Sequence, residues 1–319
     1  MNKVFIWADA SEQIGYGHFI RSLALADILK QSFECFFFTQ KPSEFQRGEV
    51  KKICQLIELP DDSSKYNLFL SYLDGTEIVV LDNYFFTSSF EKSIKSKGCT
   101  LVCLGTNDRH YYADVVINFT NLSPSDFSSE LYTKFCLGLD WTILRSAFYH
   151  SYRTIKEGLI ICLGGTDQYG YSEIFYNKIR NTMPELKISI LATERIGEQR
   201  IRSFKDQGVN TLINLSAHEV AYALANSQLA VVSSSGIAIE ALSQNVNVIA
   251  GYYMENQYNL YNTLNDEGYI WGVDSFNEIE CCDRIISSIR DIYSGSLKRK
   301  FVASKVIRNY INLFKDLCE

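Results

Sequence analysis

The chain has 319 residues, a length suited to about two domains of ordinary size. Hydrophobic residues make up 46% and charged residues 21%, which excludes bulk disorder and allows each half its own core. With 31 basic and 37 acidic residues the net charge is −6, so no broad positive field exists for wrapping nucleic acid or holding an anionic membrane; a small anion needs only a few aimed donors.

Residues 4–8 read as a short buried strand. A glycine-bearing turn follows, then an amphipathic helix over 19–30. Residues 34–38 are strand-like, and the apolar run 78–81 is a buried strand ending at Asp82. Further short strands fall at 100–104 and 114–118. Residues 159–163 restart the pattern with a strand, Gly164-Gly165-Thr166-Asp167 and a helix from about Ser172. Strands at 187–191, 211–213, 229–232 and 246–249 complete the second half. Strands alternating with helices predict parallel sheets covered on both faces, in two α/β halves. The seam is expected in the polar stretch 150–157, giving domains over 1–152 and 153–319. Residues 297–317 read as one long amphipathic helix, for which a crossing back to the first domain is left open. The abundant tyrosines and phenylalanines are read as packing residues.

Nine cysteines are scattered, with no Cys-x-x-Cys and no histidine at zinc-finger spacing, so neither a disulfide framework nor a structural metal site is expected. The N-terminal apolar run reaches Asp9 too soon for a signal peptide, and no run of about 20 apolar residues follows. A cytoplasmic address and no membrane span are the expectation.

Four stretches carry chemistry. The first is Gln13-Ile14-Gly15-Tyr16-Gly17-His18, with Arg21 one turn on. Two glycines after a strand let the backbone approach a ligand, but the third glycine of the dinucleotide fingerprint is absent. A helix N-terminus disfavours imidazolium, which leaves His18 in the form that takes a proton; a capping histidine is the equal alternative. The second is Gly164 to Asp167, whose amides face the carboxyl end of a strand, or which is simply a tight strand–helix turn. The third is Ser233-Ser234-Ser235-Gly236, with Glu240 farther along the helix. Hydroxyls and free amides at a helix N-terminus suit a diphosphate, and Glu240 suits ribose hydroxyls; an N-cap serine with an exposed glutamate is the plainer reading. The fourth is Asn256-Gln257, after a strand, where side-chain amides can fix sugar hydroxyls.

Together with Asp82-x-Tyr84 and Leu144-Arg145-x-x-Phe148, these stretches resemble the UDP-2,4-diacetamido-2,4,6-trideoxy-β-L-altropyranose hydrolase family of pseudaminic acid biosynthesis and related spore-coat polysaccharide proteins. The motifs run in family order over 1 to about 275. The resemblance implies a glycosyltransferase-B-type fold, two Rossmann-like domains facing across a cleft. The N-terminal domain carries the sugar site and catalytic base, and the C-terminal domain binds UDP. It implies hydrolysis of UDP from C1 of the sugar without metal or cofactor. His18 matches the histidine proposed to activate water. Gln13, Gly15, Gly17, Arg21, Asp82, Tyr84, Gly164, Gly165, Thr166, Asp167, Ser234, Ser235, Gly236, Glu240, Asn256 and Gln257 match substrate-facing positions. The implied partner is a UDP-sugar alone; oligomeric state is left open. An inverting UDP-sugar glycosyltransferase of cell-surface polysaccharide synthesis is the alternative function. A catalytically dead sugar-nucleotide sensor would lack the usable base that His18 supplies. The chain departs from the family at Gly105-Thr106 (usually Asp-Asp), Asn83 (often His) and Trp141-Thr142 (usually Tyr-Ala), all in the first domain.

Overall fold

Val4, Phe5, Ile6 and Trp7 are all buried, as a central strand covered on both faces requires. The computed structural model describes residues 2–10, 16–150, 152, 155–165 and 167–318. The first strands are β1 (Lys3–Trp7), β2 (Glu34–Gln40), β3 (Gln55–Leu59), β4 (Ile78–Leu81), β5 (Thr100–Leu104), β6 (His110–Tyr111), β7 (Val115–Asn118), β8 (Ser128–Ser129) and β9 (Lys134–Leu137). Helices α1 (Gly17–Leu29), α2 (Glu44–Lys51), α3 (Ser64–Ser71) and α4 (Ser88–Ser96) connect the first five of them. A parallel sheet forms in the order β3-β2-β1-β4-β5-β7-β9, with β6 and β8 as a separate ribbon. Trp7 anchors the core on one face, its ring 4.9 Å from Phe69 and 5.0 Å from Phe86.

The grammar repeats with β10 (Leu159–Cys162), α5 (Tyr171–Thr182), β11 (Ile188–Ala192), α6 (Glu198–Asp206), β12 (Asn210–Ile213), α7 (Ala217–Asn226), β13 (Leu229–Ser233), α8 (Gly236–Ser243), β14 (Asn247–Tyr252), α9 (Tyr258–Asp266), β15 (Trp271–Ser275) and α10 (Cys281–Tyr293). These strands form a second parallel sheet, β12-β11-β10-β13-β14-β15. The chain divides into two compact units, Met1–Ser146 with Ser304–Glu319, and Ala147–Ala303.

The final helix corrects the expectation of one helix over 297–317: α11 spans only Ser304–Asp316. A helix through 297–303 would place Leu297 and Phe301 on one face. Phe301 is buried whereas Leu297 is 87% exposed, so no common apolar stripe holds that segment helical. Within the first unit α11 packs against α1 and the turn Leu139–Trp141. Tyr310 stacks edge-on against Trp141 at 5.4 Å and donates from Oη to its carbonyl at 2.7 Å. Trp141, expected in the sugar region, therefore anchors the C-terminal helix.

Each sheet reverses its direction of growth once. In the first, the strand order turns outward on either side of β1 and β4; in the second, on either side of β10 and β13. In open α/β sheets such switch points leave a crevice at the carboxyl ends of the strands, where ligands bind.

Candidate active site

The first switch point carries His18. Residues His18, Arg21 and Ser22 stand at i, i+3 and i+4 of α1 and so share one face of the helix. That face meets Asp82, the residue after β4, which is completely buried. His18 Nδ1 lies 2.7 Å from Asp82 Oδ1. Arg21 Nε donates to Oδ2 at 2.7 Å, and its Nη2 donates to Oδ1. Ser22 Oγ donates to Oδ2 at 2.7 Å. Burial by itself would raise the Asp82 carboxyl, but the Arg21 charge and the hydrogen bonds from Arg21 and His18 outweigh it and hold the group well below the usual carboxylate range. An ionised carboxylate only accepts, so in the neutral imidazole the proton sits on Nδ1 and Nε2 carries the lone pair. Arg21 Nη2 is also 3.0 Å from Nδ1, but two donors do not bond and Asp82 is its acceptor. Tyr84 meets the His18 ring edge-on at 4.5 Å and is 52% exposed, which leaves it able to touch a ligand.

Asp82, which the resemblance matches to a substrate-facing position, has no exposed surface in the structure and is bonded to His18, Arg21 and Ser22. Ser22 was not singled out from the sequence, although its i+4 spacing from His18 was the available signal.

In the loop after β5 a buried ring hems in the backbone at Gly105. A Cβ at Gly105 would lie 2.2 Å from the Tyr111 hydroxyl, which donates to the Thr106 carbonyl at 2.6 Å. Tyr111 is fully buried and cannot swing away into solvent. Gly105→Ala is expected to destabilise the protein by about 1–3 kcal/mol through overpacking, with Tyr111→Phe recovering part of the loss by thermal unfolding. Equal melting temperatures for wild type and Gly105→Ala would refute this reading.

At the second switch point the loops after β10, β13 and β14 lie side by side, since Cys162 pairs with Val232 and Val232 with Ala250. Gly164 takes φ +89°, a left-handed conformation that favours glycine. Asp167 closes this loop. Its Oδ1 accepts from the Tyr171 amide and its Oδ2 from the Ser172 amide, both at 3.0 Å, so its carboxylate caps α5. Burial raises that carboxyl, with the amides of Ser172 and Tyr171 and the Arg200 charge opposing. Ser235 is the N-cap of α8 but makes no side-chain cap bond. The Ala238 amide donates to the Ser235 carbonyl at 2.9 Å, and the amides of Gly236 and Ile237 before it stand ahead of any intrahelical acceptor, so this end suits an anion. Ser234 Oγ is buried without a hydrogen-bond partner among the described residues, beside the Ser233–Ser235 hydroxyl pair at 3.1 Å. A Cβ added at Gly236 would meet nothing within 4 Å. Glu240 is buried farther along the same helix. Gln257 Oε1 accepts from the Tyr253 amide at 3.0 Å and shapes the loop after β14, while Asn256 is exposed.

Gln13, Gly15 and Thr166 lie outside the described residues. The structure gathers His18, Arg21, Asp82 and Tyr84 in the first unit, with Gly17 opening α1. It gathers Gly164, Gly165, Ser234, Ser235, Gly236 and Gln257 along the strand exits of the second. Among the described residues there is no group of three or more His, Cys, Asp or Glu placed to hold a metal ion, and no helix long and apolar enough to cross a membrane.

These two Rossmann-like units define the glycosyltransferase-B type of fold. The chain shares it with MurG of Acinetobacter baumannii (TM-score 0.58, 11% identity, 98% of this chain and 94% of that one). It also shares it with HepE of Anabaena, whose structure holds UDP (TM-score 0.59, 12% identity, 100% and 96%). No family model matches the chain. In sequence it is similar to the UDP-2,4-diacetamido-2,4,6-trideoxy-β-L-altropyranose hydrolase of Campylobacter jejuni, at 24% identity over 282 residues, 84% of this chain and 97% of the relative.

Proposed function

We propose that the chain acts on a UDP-sugar and hydrolyses the bond between C1 and the diphosphate of a diacetamido-trideoxy hexose, as a step of pseudaminic acid synthesis. The observation that carries this reading is the His18–Asp82 pair at the switch point of the first unit, with Nε2 left as a proton acceptor. The likeness to the Campylobacter hydrolase over nearly all of that protein's length supports the choice of substrate.

In this reading the first unit supplies the base and the second unit holds UDP. His18 Nε2 takes a proton from water as the water oxygen bonds to C1. The C1–O bond breaks, and its electron pair leaves with UDP. The open end of α8 and the hydroxyl of Ser234 stabilise the departing diphosphate. The products are free sugar and UDP, with C1 inverted. In water enriched in heavy oxygen the label is expected on C1 of the sugar; label on the UDP phosphate would overturn the mechanism. The shared fold does not separate hydrolysis from the alternative of glycosyl transfer, in which UDP is released only when an acceptor hydroxyl is added.

The second unit's role has its own test. Gly236→Val is expected to leave the fold intact, because the new side chain enters open space. That space is where we place the diphosphate, so UDP affinity should fall roughly 100-fold, about 2.8 kcal/mol. Single Ser→Ala changes at Ser234 or Ser235 should cost about 1 kcal/mol each. A Gly236→Val protein that titrates with UDP like wild type would place the nucleotide elsewhere.

A further inference from the structure

Asp82 and Asn83 are consecutive, and the second of them has no role in the reading above. Asn83 is 4% exposed, and its Oδ1 accepts from the backbone amide of Asp9 at 2.7 Å. Asp9 is the second residue past β1 and is itself completely buried. Its Oδ1 accepts from the Gln40 amide at 2.7 Å and from Thr39 Oγ1 at 3.1 Å, both at the end of β2, and its Oδ2 accepts from Trp7 Nε1 at 3.3 Å. One polar chain therefore runs across the exits of β2, β1 and β4 and ends on the backbone that carries Asp82.

The orientation of the Asn83 amide follows from its neighbour. The Asp9 N–H is a donor, so Oδ1 must face it and Nδ2 must point away. Nδ2 has no hydrogen-bond partner among the described residues and is buried. Asparagine thus leaves one donor unmatched, a cost that polar groups in a core rarely carry without compensation. The gain lies in the other half of the side chain. The Asp82 amide donates to the Trp7 carbonyl at 3.1 Å, and the tie from Asn83 to Asp9 carries the joining of the β1 and β4 exits one step past that last backbone bond. Asp82 binds the β4 exit to α1, and Asn83 binds the same exit to β1.

We propose that Asn83 is a positioning residue for the His18–Asp82 pair, holding the β4 exit against Asp9 so that Nε2 stands where the proton is taken. This rests on the reading of His18 as the base. Turnover of UDP-2,4-diacetamido-2,4,6-trideoxy-β-L-altropyranose is to be measured for the full chain and for Asn83→Leu, Asn83→Ala, His18→Ala and the double variants. Leu keeps the volume without the acceptor; Ala leaves room for a water to take the freed amide. Asn83→Leu should lower kcat roughly 10–100-fold, as a small misplacement of a reacting group does, with KM within about threefold of wild type. In the His18→Ala background neither Asn83 change should lower the residual rate further. A merely structural role predicts the same fractional loss in both backgrounds. Thermal unfolding reports folding of every variant, and if Asn83→Leu fails to fold, Asn83→Ala carries the same cycle. Wild-type turnover from Asn83→Leu, or an equal loss with and without His18, overturns the proposal. Absence of hydrolysis by the wild-type protein overturns instead the function on which it rests.

Discussion

His18→Ala and His18→Asn are expected to lose kcat by roughly 10²–10⁴-fold while UDP affinity stays close to wild type. The size reflects the loss of a general base whose proton-accepting nitrogen is set by its neighbour. The carboxylate of Asp82 holds the Nδ1 proton, which leaves Nε2 as the acceptor. Neither replacement side chain can take a proton from water. UDP affinity should survive because the proposed nucleotide loops belong to Ala147–Ala303 and His18 belongs to the other unit. The two readouts separate the effects: single-turnover hydrolysis reports the base, and calorimetric titration with UDP reports the nucleotide site. Near-normal turnover in either variant would remove His18 from the mechanism, and a parallel loss of UDP binding would place the nucleotide beside α1.

Asp82→Asn and Asp82→Ala should be the most damaging substitutions of all, because they act on stability and chemistry together. Three side chains of α1 converge on this carboxylate. Removing it leaves the part-buried Arg21 guanidinium without its counter-charge, for which a loss of about 3 kcal/mol is the order expected. Asn at this position has a further consequence. Its amide can donate to His18 Nδ1, which would move the imidazole proton to Nε2 and block proton uptake, a change of tautomer worth about 10⁴-fold in comparable arrangements. The pH dependence has a definite sign. The Asp82 carboxyl is held low in the folded protein. Its contribution to stability is therefore complete above the unfolded carboxylate value of about 3.9 and is lost progressively as pH falls below it toward the folded value. Denaturant midpoints measured from pH 7 down to pH 3 should fall for wild type, and the fall should be shallower in Asp82→Asn. Parallel pH profiles for the two proteins would show that Asp82 does not contribute in this way.

The sequence alone determined the α/β class, and the reason is burial; the glycosyltransferase-B type came from the resemblance of its motifs. Central parallel strands are covered on both faces, so β1, β4, β5, β10 and β13 appear as uninterrupted apolar runs that need no tertiary context. Among the strands it left unnamed, β3, β9 and β15 lie at sheet edges, and β6 and β8 are the two-residue strands of the separate ribbon. An edge strand is partly exposed, so polar residues dilute its run, as Gln55 and Glu58 do in β3. The site divides along the same line. His18, Arg21 and Ser22 share a helical spacing that is legible in one dimension, and so is the clustering of serines before Gly236. That Asp82, 60 residues beyond Ser22, serves those three side chains was decided by the pairing of β1 with β4. The same pairing brings Asn83 to Asp9, 74 residues away. Tertiary packing also made Asp167 a helix cap, Trp141 an anchor for α11 and Gly105 a necessity beneath Tyr111. A short-range pattern specifies which face of an element is apolar, but the partner of a buried polar group depends on which strand exits meet, and only the folded sheet settles that.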